Sequence, residues 1–185
     1  MGIALADAAS EYGATVDLVL GPVTISPVSE GINIINVTTA ASMASECISR
    51  FPECDIAILS AAVADFTPET TDKRKIKKDG KELVLKLKHT TDIAFELGKI
   101  KKPFQLLAGF ALETNNEVEN AMEKLVRKNF DLIVLNSLRQ KSAGFEYSTN
   151  RITIIDRNNN IDKFEVKSKD EVAKDILDKI VSMIQ

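Results

Sequence analysis

AILSAAVADFTPETTDKRKIKKDG, residues Ala57 to Gly80, is the stretch that indicates the fold most clearly. Residues 56–61 are apolar except for Ser60 and show almost no alternation, which is typical of a strand whose two faces are both covered. The chain then passes through small residues to Asp65 and enters a polar run rich in lysine. The stretch therefore predicts a sheet in the protein interior, which the chain leaves at an aspartate for a basic excursion.

Helical and strand patterns alternate along the rest of the chain. Helices are predicted at residues 1–12, 40–51 and 92–97 (capped by Thr90 or Thr91 and ended by Gly98), after Asn115 or Asn116, and from a Ser168–Glu171 capping box to residue 184. Strands are predicted at residues 16–20, 32–37, 56–61, 104–110 and 131–135, and in a hairpin of residues 151–156 and 163–166. Such alternation predicts a three-layer, doubly wound, Rossmann-like α/β sheet, mostly parallel, with a projecting arm and a C-terminal hairpin and helix. We expect one domain, residues 1–185.

Residues 66–90 are predicted to form the projecting arm. Asp79-Gly80 is a strong signal for a two-residue hairpin turn. Eight cationic and two acidic residues between Lys73 and Lys88 give the arm a local net charge of +6. Its alternating leucines need a covering surface, for which a second subunit is one candidate; they are Leu83, Leu85 and Leu87.

Composition excludes several classes of function. The 185 residues carry a net charge of −3, which argues against a general nucleic-acid-binding protein. No apolar run is long enough to span a membrane. Cys47 and Cys54 match no zinc or redox spacing, and the single His89 makes a histidine-based triad or metal site improbable. A reduced, cytoplasmic setting and no protein metal site are the expectation. A basic segment in an acidic chain suggests an anionic small ligand or a solvated hairpin.

Three strand ends offer polar groups where ligands bind in open α/β sheets. Ser60, Ala61 and Ala62 stand at the end of the third predicted strand and lead to Asp65. Phe110 leads to Glu113 and the amides that begin the helix near Asn116, which could hold an anion. Asn136 ends the third of these strands. Neither GxGxxG nor GxxxxGK[ST] is present.

Each of these groups also has a structural explanation. Asp65 could begin a loop through an Asx turn. The lysines around Lys75 could form a solvated arm that discourages edge pairing. Lys124 and Lys128 lie one turn apart near a helix C-terminus, where cations complement the helix dipole. The residues alone therefore predict an α/β protein that binds an anionic ligand.

An ordered set of motifs carries a more specific resemblance. They are AAVADF (61–66), KIKK (75–78), TDI (91–93), GFALETNN (109–116) and RKNFDLIVLN (127–136). In this order the chain resembles phosphopantothenoylcysteine synthetase (phosphopantothenate–cysteine ligase), the CTP-dependent ligase of bacterial coenzyme A synthesis. The resemblance implies that CTP activates 4′-phosphopantothenate as an acyl-cytidylate, from which the cysteine amine displaces CMP.

The resemblance also implies roles for individual residues. Lys75 matches the catalytic lysine, and Ala61 and Ala62 match the phosphopantothenate pocket. Nucleotide contacts are implied for Ser60, Ala61, Asp65, Lys75, Asp92, Ile93, Phe110, Lys124 and Lys128. It further implies Mg²⁺ accompanying CTP, no protein-bound organic cofactor in this segment, and a homodimer.

The N-terminus departs from the resemblance. Family members begin with a strand and a loop that carries an arginine and a catalytic asparagine, whereas Met1-Gly2 here corresponds to the end of the turn that follows. We therefore expect an N-terminally truncated ligase domain that is a poor catalyst alone. Fusion to, or association with, an FMN-dependent phosphopantothenoylcysteine decarboxylase is the natural context that the resemblance implies. Two alternatives stay open: a Rossmann-like NAD(P)- or flavin-linked oxidoreductase, which would lack the glycine fingerprint, and a non-catalytic nucleotide-binding module.

Overall fold

The computed structural model describes residues 1–72, 74–77, 82–113, 115–137 and 149–184. Its helices are α1 (Gly2–Glu11), α2 (Ala40–Arg50), a 3₁₀ turn (Phe51–Glu53), α3 (Ile93–Ile100), α4 (Glu117–Arg127) and α5 (Lys169–Ile184). Its strands are β1 (Asp17–Leu20), β2 (Asn33–Asn36), β3 (Ile56–Leu59), β4 (Phe66–Pro68), β5 (Leu87–His89), β6 (Leu106–Glu113), β7 (Leu132–Ser137), β8 (Thr149–Asn150), β9 (Ile152–Asp156), β10 (Ile161–Lys163) and β11 (Lys167–Ser168).

The central sheet is mixed and has five strands in the order β10-β9-β7-β6-β3. Strands β3, β6 and β7 run parallel, β9 pairs with β7 in antiparallel fashion, and β10 pairs in antiparallel fashion with β9. The tight turn after Asp156 makes β9 and β10 antiparallel to each other, because a short connection can join only antiparallel strands. Strands β1 and β2 form a separate parallel pair. The predicted α/β class is confirmed, with the C-terminal hairpin forming the antiparallel edge of the sheet.

Both faces of the sheet are buried, which confirms the three-layer prediction. On β7, Leu132 and Val134 face one core and Ile133 and Leu135 face the other. The first core is closed by α1 and α5, and the second by α2, α3 and α4. All four β7 side chains are at most 3% exposed, so the continuous apolar run of this strand results from coverage on both sides.

Helix α3 differs from its predicted boundaries. Asp92, rather than Thr90 or Thr91, is the N-cap, and its carboxylate accepts a hydrogen bond from the Phe95 amide at 3.2 Å. The helix also continues past Gly98 to Ile100. A Cβ on Gly98 would lie 2.2 Å from the carbonyl oxygen of Lys128. The glycine therefore permits close approach of α3 to the end of α4 instead of ending the helix.

The arm is paired only at its base in the described residues. Strands β4 and β5 are antiparallel, and the Glu69 amide extends the ladder to the Lys86 carbonyl at 2.9 Å. The hairpin that the Asp79-Gly80 signal and the alternating leucines predict is wrong in its extent, since residues 74–77 and 82–86 lie in no strand. The predicted turn at Asp79-Gly80 lies outside the described residues. The three arm leucines are 56–62% exposed, so nothing described covers them.

Candidate functional site

The carboxyl ends of β3 and β6 lie side by side. Leu59 pairs with Gly109, so Ser60 and Phe110 follow at the same edge of the sheet. Ser60 also lies against the start of α1, since a Cβ on Gly2 would be 2.8 Å from the Ser60 hydroxyl oxygen. The structure thus brings together two predicted site residues and the amide end of a helix, as expected for a ligand edge.

Asp65 lies at the base of the arm, where Ala61 and Ala62 are also exposed. The Thr90 amide donates to the Asp65 carbonyl oxygen at 3.0 Å, and the Thr90 hydroxyl donates to the Ala64 carbonyl oxygen at 2.6 Å. These bonds hold Asp65 close to the start of α3. Within the described part of the chain the Asp65 carboxylate accepts no hydrogen bond, so the alternative Asx turn is not observed and the carboxylate faces solvent.

Asp92 connects the start of α3 to the end of α4. Besides capping α3, its carboxylate accepts a hydrogen bond from the Lys128 ammonium at 3.0 Å. Partial burial raises the pKa of Asp92, but the bonds from Lys128 and the Phe95 amide outweigh it and leave the pKa below its ordinary value. The Ile93 side chain is buried in the core, so a ligand at this helix start would meet its backbone amide.

Lys124 and Lys128 both reach carboxylates, contrary to a simple helix-dipole role. The Lys124 ammonium lies 3.2 Å from a carboxylate oxygen of Glu113, at the end of β6. Long helical side chains point toward the helix N-terminus, which carries both lysines back along α4. Sequence reasoning missed Glu113 as a partner. The signal that could have revealed this pair is the reversal of chain direction between β6 and α4, which brings residue 124 back toward residue 113.

Lys75 is the predicted site residue that the structure does not connect to the others. Its side chain is exposed, and it makes no hydrogen bond or ion pair among the described residues. Phe110, by contrast, is half-buried and packs against the core closed by α1 and α5.

Asn136, the third predicted strand end, holds a buried amide oxygen that has no hydrogen-bond partner in the described structure. An unpaired buried acceptor at a ligand edge is costly unless something else satisfies it. The two cysteines are different: burial raises the pKa of the Cys47 and Cys54 thiols, consistent with packing rather than reactivity.

The described residues contain neither a metal-binding cluster nor a membrane-spanning helix. No group of three or more His, Cys, Asp or Glu side chains is placed there to hold a metal ion. None of the helices found there has both the length and the apolar character needed to cross a membrane.

The mixed sheet and the charged residues at its carboxyl edge define an α/β domain of the Rossmann-like class. The model of one family, the DNA/pantothenate metabolism flavoprotein C-terminal domain, matches residues 1–184. The chain belongs to this family.

Curated relatives support the assignment. The chain is 61% identical over 184 residues to a prokaryotic protein named cysteine/cysteine sulfinic acid decarboxylase, covering all of this chain and 51% of that protein. It is 42% identical over 183 residues to the coenzyme A biosynthesis bifunctional protein CoaBC of Bacillus subtilis, covering 99% of this chain and 45% of that protein. The chain therefore spans about half the length of these relatives.

Solved structures agree with the fold. The C-terminal domain of a coenzyme A biosynthesis bifunctional protein CoaBC superimposes with a TM-score of 0.83 at 32% identity, over 98% of this chain and 81% of that one. A Cab2 mutant in complex with phosphopantothenate-cysteine superimposes with a TM-score of 0.63 at 16% identity, over 84% of this chain and 53% of that one. At that identity the second likeness concerns the fold alone.

Proposed function

We propose that the chain is the ligase domain of a phosphopantothenate–cysteine ligase, an enzyme of coenzyme A biosynthesis. The observation that carries this proposal is the match, over 98% of the chain, to the C-terminal domain of a bifunctional coenzyme A biosynthesis protein. The prokaryotic relative is named a decarboxylase, but the chain spans only about half of it, as it does of the bifunctional relatives, so that name does not assign the activity to this segment.

The proposed reaction has two steps. The carboxylate of 4′-phosphopantothenate attacks the α-phosphate of CTP, giving an acyl-cytidylate and releasing pyrophosphate. The amine of cysteine then attacks the acyl carbon, forming the amide and releasing CMP. The proposed nucleotide contacts are Ser60, Ala61, Asp65, Lys75, Asp92, Ile93, Phe110, Lys124 and Lys128, and Ala61 and Ala62 border the phosphopantothenate.

The site geometry is compatible with this assignment. The Asp92–Lys128 and Glu113–Lys124 pairs place two cations near the edge at which β3 and β6 end. Two phosphorylated substrates repel each other there, and lysines aimed at the same place lower the cost of bringing them together. The described residues of the arm are mostly exposed and sparsely packed. We propose that the arm closes over the site with Lys75, which would stabilise charge and exclude water from the acyl-cytidylate.

Magnesium belongs to the CTP substrate in this proposal. Mg²⁺ is usually held by phosphate oxygens with one or two carboxylates, rather than by a cage of protein ligands. The described residues contain no such cage, while Asp65 offers one exposed carboxylate at the sheet edge. We propose no protein-bound organic cofactor for this segment.

We also propose that a further strand, outside this chain, inserts between β1 and β3. In the described residues β1 pairs only with β2, and β3 pairs only with β6. All four β3 residues are apolar but half-exposed, whereas the first four of β6 are buried. This strand and its asparagine loop would complete the acid-binding pocket. The name "bifunctional" of several relatives supports a fusion to an FMN-dependent decarboxylase.

A homodimer in the cytoplasm is part of the proposal. The exposed side of the arm with Leu83, Leu85 and Leu87 would form part of its interface. Sedimentation velocity of the chain should show a dimer. Replacing Leu85 with aspartate should shift it toward the monomer, and an unchanged sedimentation coefficient would remove the arm from the interface.

Ligand-dependent thermal shifts test the function. CTP with Mg²⁺ at about 100 times its dissociation constant should stabilise the chain by about 2.7 kcal/mol, and NADH or NADPH should not. Stabilisation by the dinucleotides alone would favour the oxidoreductase.

Pyrophosphate release then separates the ligase from a silent module. The 185-residue chain alone should release pyrophosphate slowly, and the longer polypeptide with the proposed strand should do so rapidly and only with phosphopantothenate. Robust turnover by the short chain would contradict the need for that strand, and no release by either would leave a binding module.

A further inference from the structure

Glu113 is a carboxylate that the proposed reaction does not use. We propose that it is a positioning residue for CTP binding, which holds the Lys124 ammonium at the carboxyl edge of the sheet without touching the nucleotide itself. This inference rests on the proposed function, because it requires Lys124 to contact CTP.

The position of Glu113 in the fold supports this role. It is the last residue of β6 and pairs with Ser137 at the end of β7, so its backbone lies at the ligand edge. The edge end of a central strand is rigidly placed, and a side chain there is well suited to hold a mobile neighbour. Lys124 lies in α4, well away from the first turn of that helix, and would not reach the edge reliably without an anchor.

Both oxygens of the Glu113 carboxylate are engaged. One accepts a hydrogen bond from the Lys124 ammonium at 3.2 Å, and the other accepts one from the Asn120 side-chain amide at 3.2 Å. The same Asn120 nitrogen donates to the Asn115 carbonyl oxygen at 2.9 Å. The carboxylate is therefore fixed to the β6–α4 turn as well as to the lysine.

Burial makes the pair more than a solvated surface contact. The side chains of Lys124 and Glu113 are 26% and 20% exposed, so solvent screens their attraction only in part. Holding the lysine in advance removes part of the entropy cost of ordering it when a ligand binds. An ammonium has three donors, so one bond to Glu113 leaves donors for a phosphate.

Lys128 has the same arrangement. It lies one turn after Lys124 and is held by Asp92, the N-cap of α3. Each of the two lysines is thus anchored by a carboxylate of another element: Lys124 by Glu113 at the end of β6, and Lys128 by Asp92 at the start of α3. A negative carboxylate near a phosphate is normally unfavourable because the two repel each other. The negative charge of Glu113 is already balanced by Lys124, so we expect the anchoring of the lysine to outweigh this repulsion.

Isothermal titration of the 185-residue chain with CTP and Mg²⁺ tests the role. Glu113→Gln should raise the dissociation constant about five- to tenfold, which lies within the range of coupling energies for residues in contact. Glu123→Gln is the matched control, because Glu123 is an exposed glutamate of α4, the helix that carries Lys124. It should leave the dissociation constant within about twofold.

A double-mutant cycle separates positioning from a general structural effect. In a Lys124→Met background, Glu113→Gln should have no further effect on CTP affinity, because the residue on which it acts has been removed. Equal losses with and without Lys124, or CTP binding as tight as in the parent, would overturn the inference. Should Glu113→Gln fail to fold, Asn120→Ala frees one carboxylate oxygen and should weaken CTP binding about twofold, in a Lys124-dependent manner; no such dependence would also overturn it.

The failure of this inference differs from the failure of the proposed function. If the parent chain binds CTP and the Glu113→Gln variant binds it equally tightly, the positioning role alone is refuted. A parent chain that does not bind CTP at all would refute the nucleotide site and, with it, the role of Glu113.

Discussion

The central sheet and the arm both carry large apolar side chains, yet these are packed in opposite ways. Leu107, Ile133 and Ile154 in the sheet are fully buried. In the arm, Leu83 is 62% and Val84 is 77% exposed. Apolar content alone therefore does not identify the core. The buried apolar surface that stabilises the fold therefore lies in the strands covered on both faces, and the described residues of the arm bury little of it.

The two regions also differ in what holds them. The sheet is held by hydrogen-bond ladders along β3, β6, β7, β9 and β10 and by helices on both faces. The described part of the arm is held by the short β4–β5 ladder and by the Thr90 bonds at its base. Substitutions in the sheet should thus change stability, and substitutions in the arm should change function with little effect on stability.

Lys75→Gln in the arm should have the largest effect on activity of the substitutions considered. If it lowers stability instead of activity, the contrast between the sheet and the arm does not hold. Removing a positive charge that acts on the transition state should lower kcat about 100-fold, which corresponds to about 2.7 kcal/mol. The thermal midpoint should stay unchanged, because the Lys75 side chain is exposed. Pyrophosphate release by the longer polypeptide measures kcat, and titration with CTP measures affinity.

Lys86→Gln is the control for Lys75. Its side chain is an exposed cation of the same arm and matches none of the proposed contacts. It should keep kcat within about twofold. A fall in CTP affinity as large as the fall in kcat would make Lys75 a binding residue rather than a catalytic one.

Valine-to-alanine changes in the two regions sharpen the comparison. Val134→Ala in β7 removes two buried methyl groups and should lower the free energy of unfolding by about 2 kcal/mol. Val84→Ala in the arm removes the same atoms from a side chain that is 77% exposed, and should change it by less than about 0.5 kcal/mol. Urea denaturation measures both, and similar losses would mean that the arm is packed in solution.

Most of the fold could be predicted because its signals are local. Continuous apolar strands require two covered faces, and the helix periodicity and the Ser168–Glu171 capping box identified their elements. The boundaries of α3 could not be predicted. Gly98 resembles a helix end in sequence, and only the carbonyl of Lys128 beside it explains why it lies within the helix.

The candidate site was predictable at its strand ends and less so at its side chains. Ser60 and Phe110 follow strands that pair in the sheet, so their proximity follows from the topology. The pairing of Lys124 with Glu113 and of Lys128 with Asp92 depends on how α4 lies against the sheet and α3, which no local pattern encodes. The proximity of Lys75 to these residues stays a prediction.

The smallest expected effect concerns Asp156, whose carboxylate holds the turn of the sheet's edge hairpin. It accepts hydrogen bonds from the amides of Asn158 at 2.9 Å and Asn160 at 3.0 Å, and it pairs with the Lys179 ammonium at 3.2 Å. Burial raises its pKa, but these bonds and the Asn160 side chain prevail and lower the pKa below the ordinary value. A lowered folded-state pKa means that this stabilisation is present above the unfolded-state pKa, near 3.9, and is lost as the pH falls through the folded-state pKa.

Asp156→Asn should therefore lower the free energy of unfolding by about 1 kcal/mol at pH 7, and the deficit relative to the parent should shrink as the pH falls below about 4. Urea denaturation at pH 7, 5 and 3 measures this. Glu82→Gln removes the same charge from an exposed side chain of the arm and should leave the stability unchanged at pH 7. A deficit for Asp156→Asn that is as large at pH 3 as at pH 7 would mean that shape rather than charge stabilises the turn. The sheet and the arm would then differ in packing, but in neither region would the carboxylate charge contribute to stability.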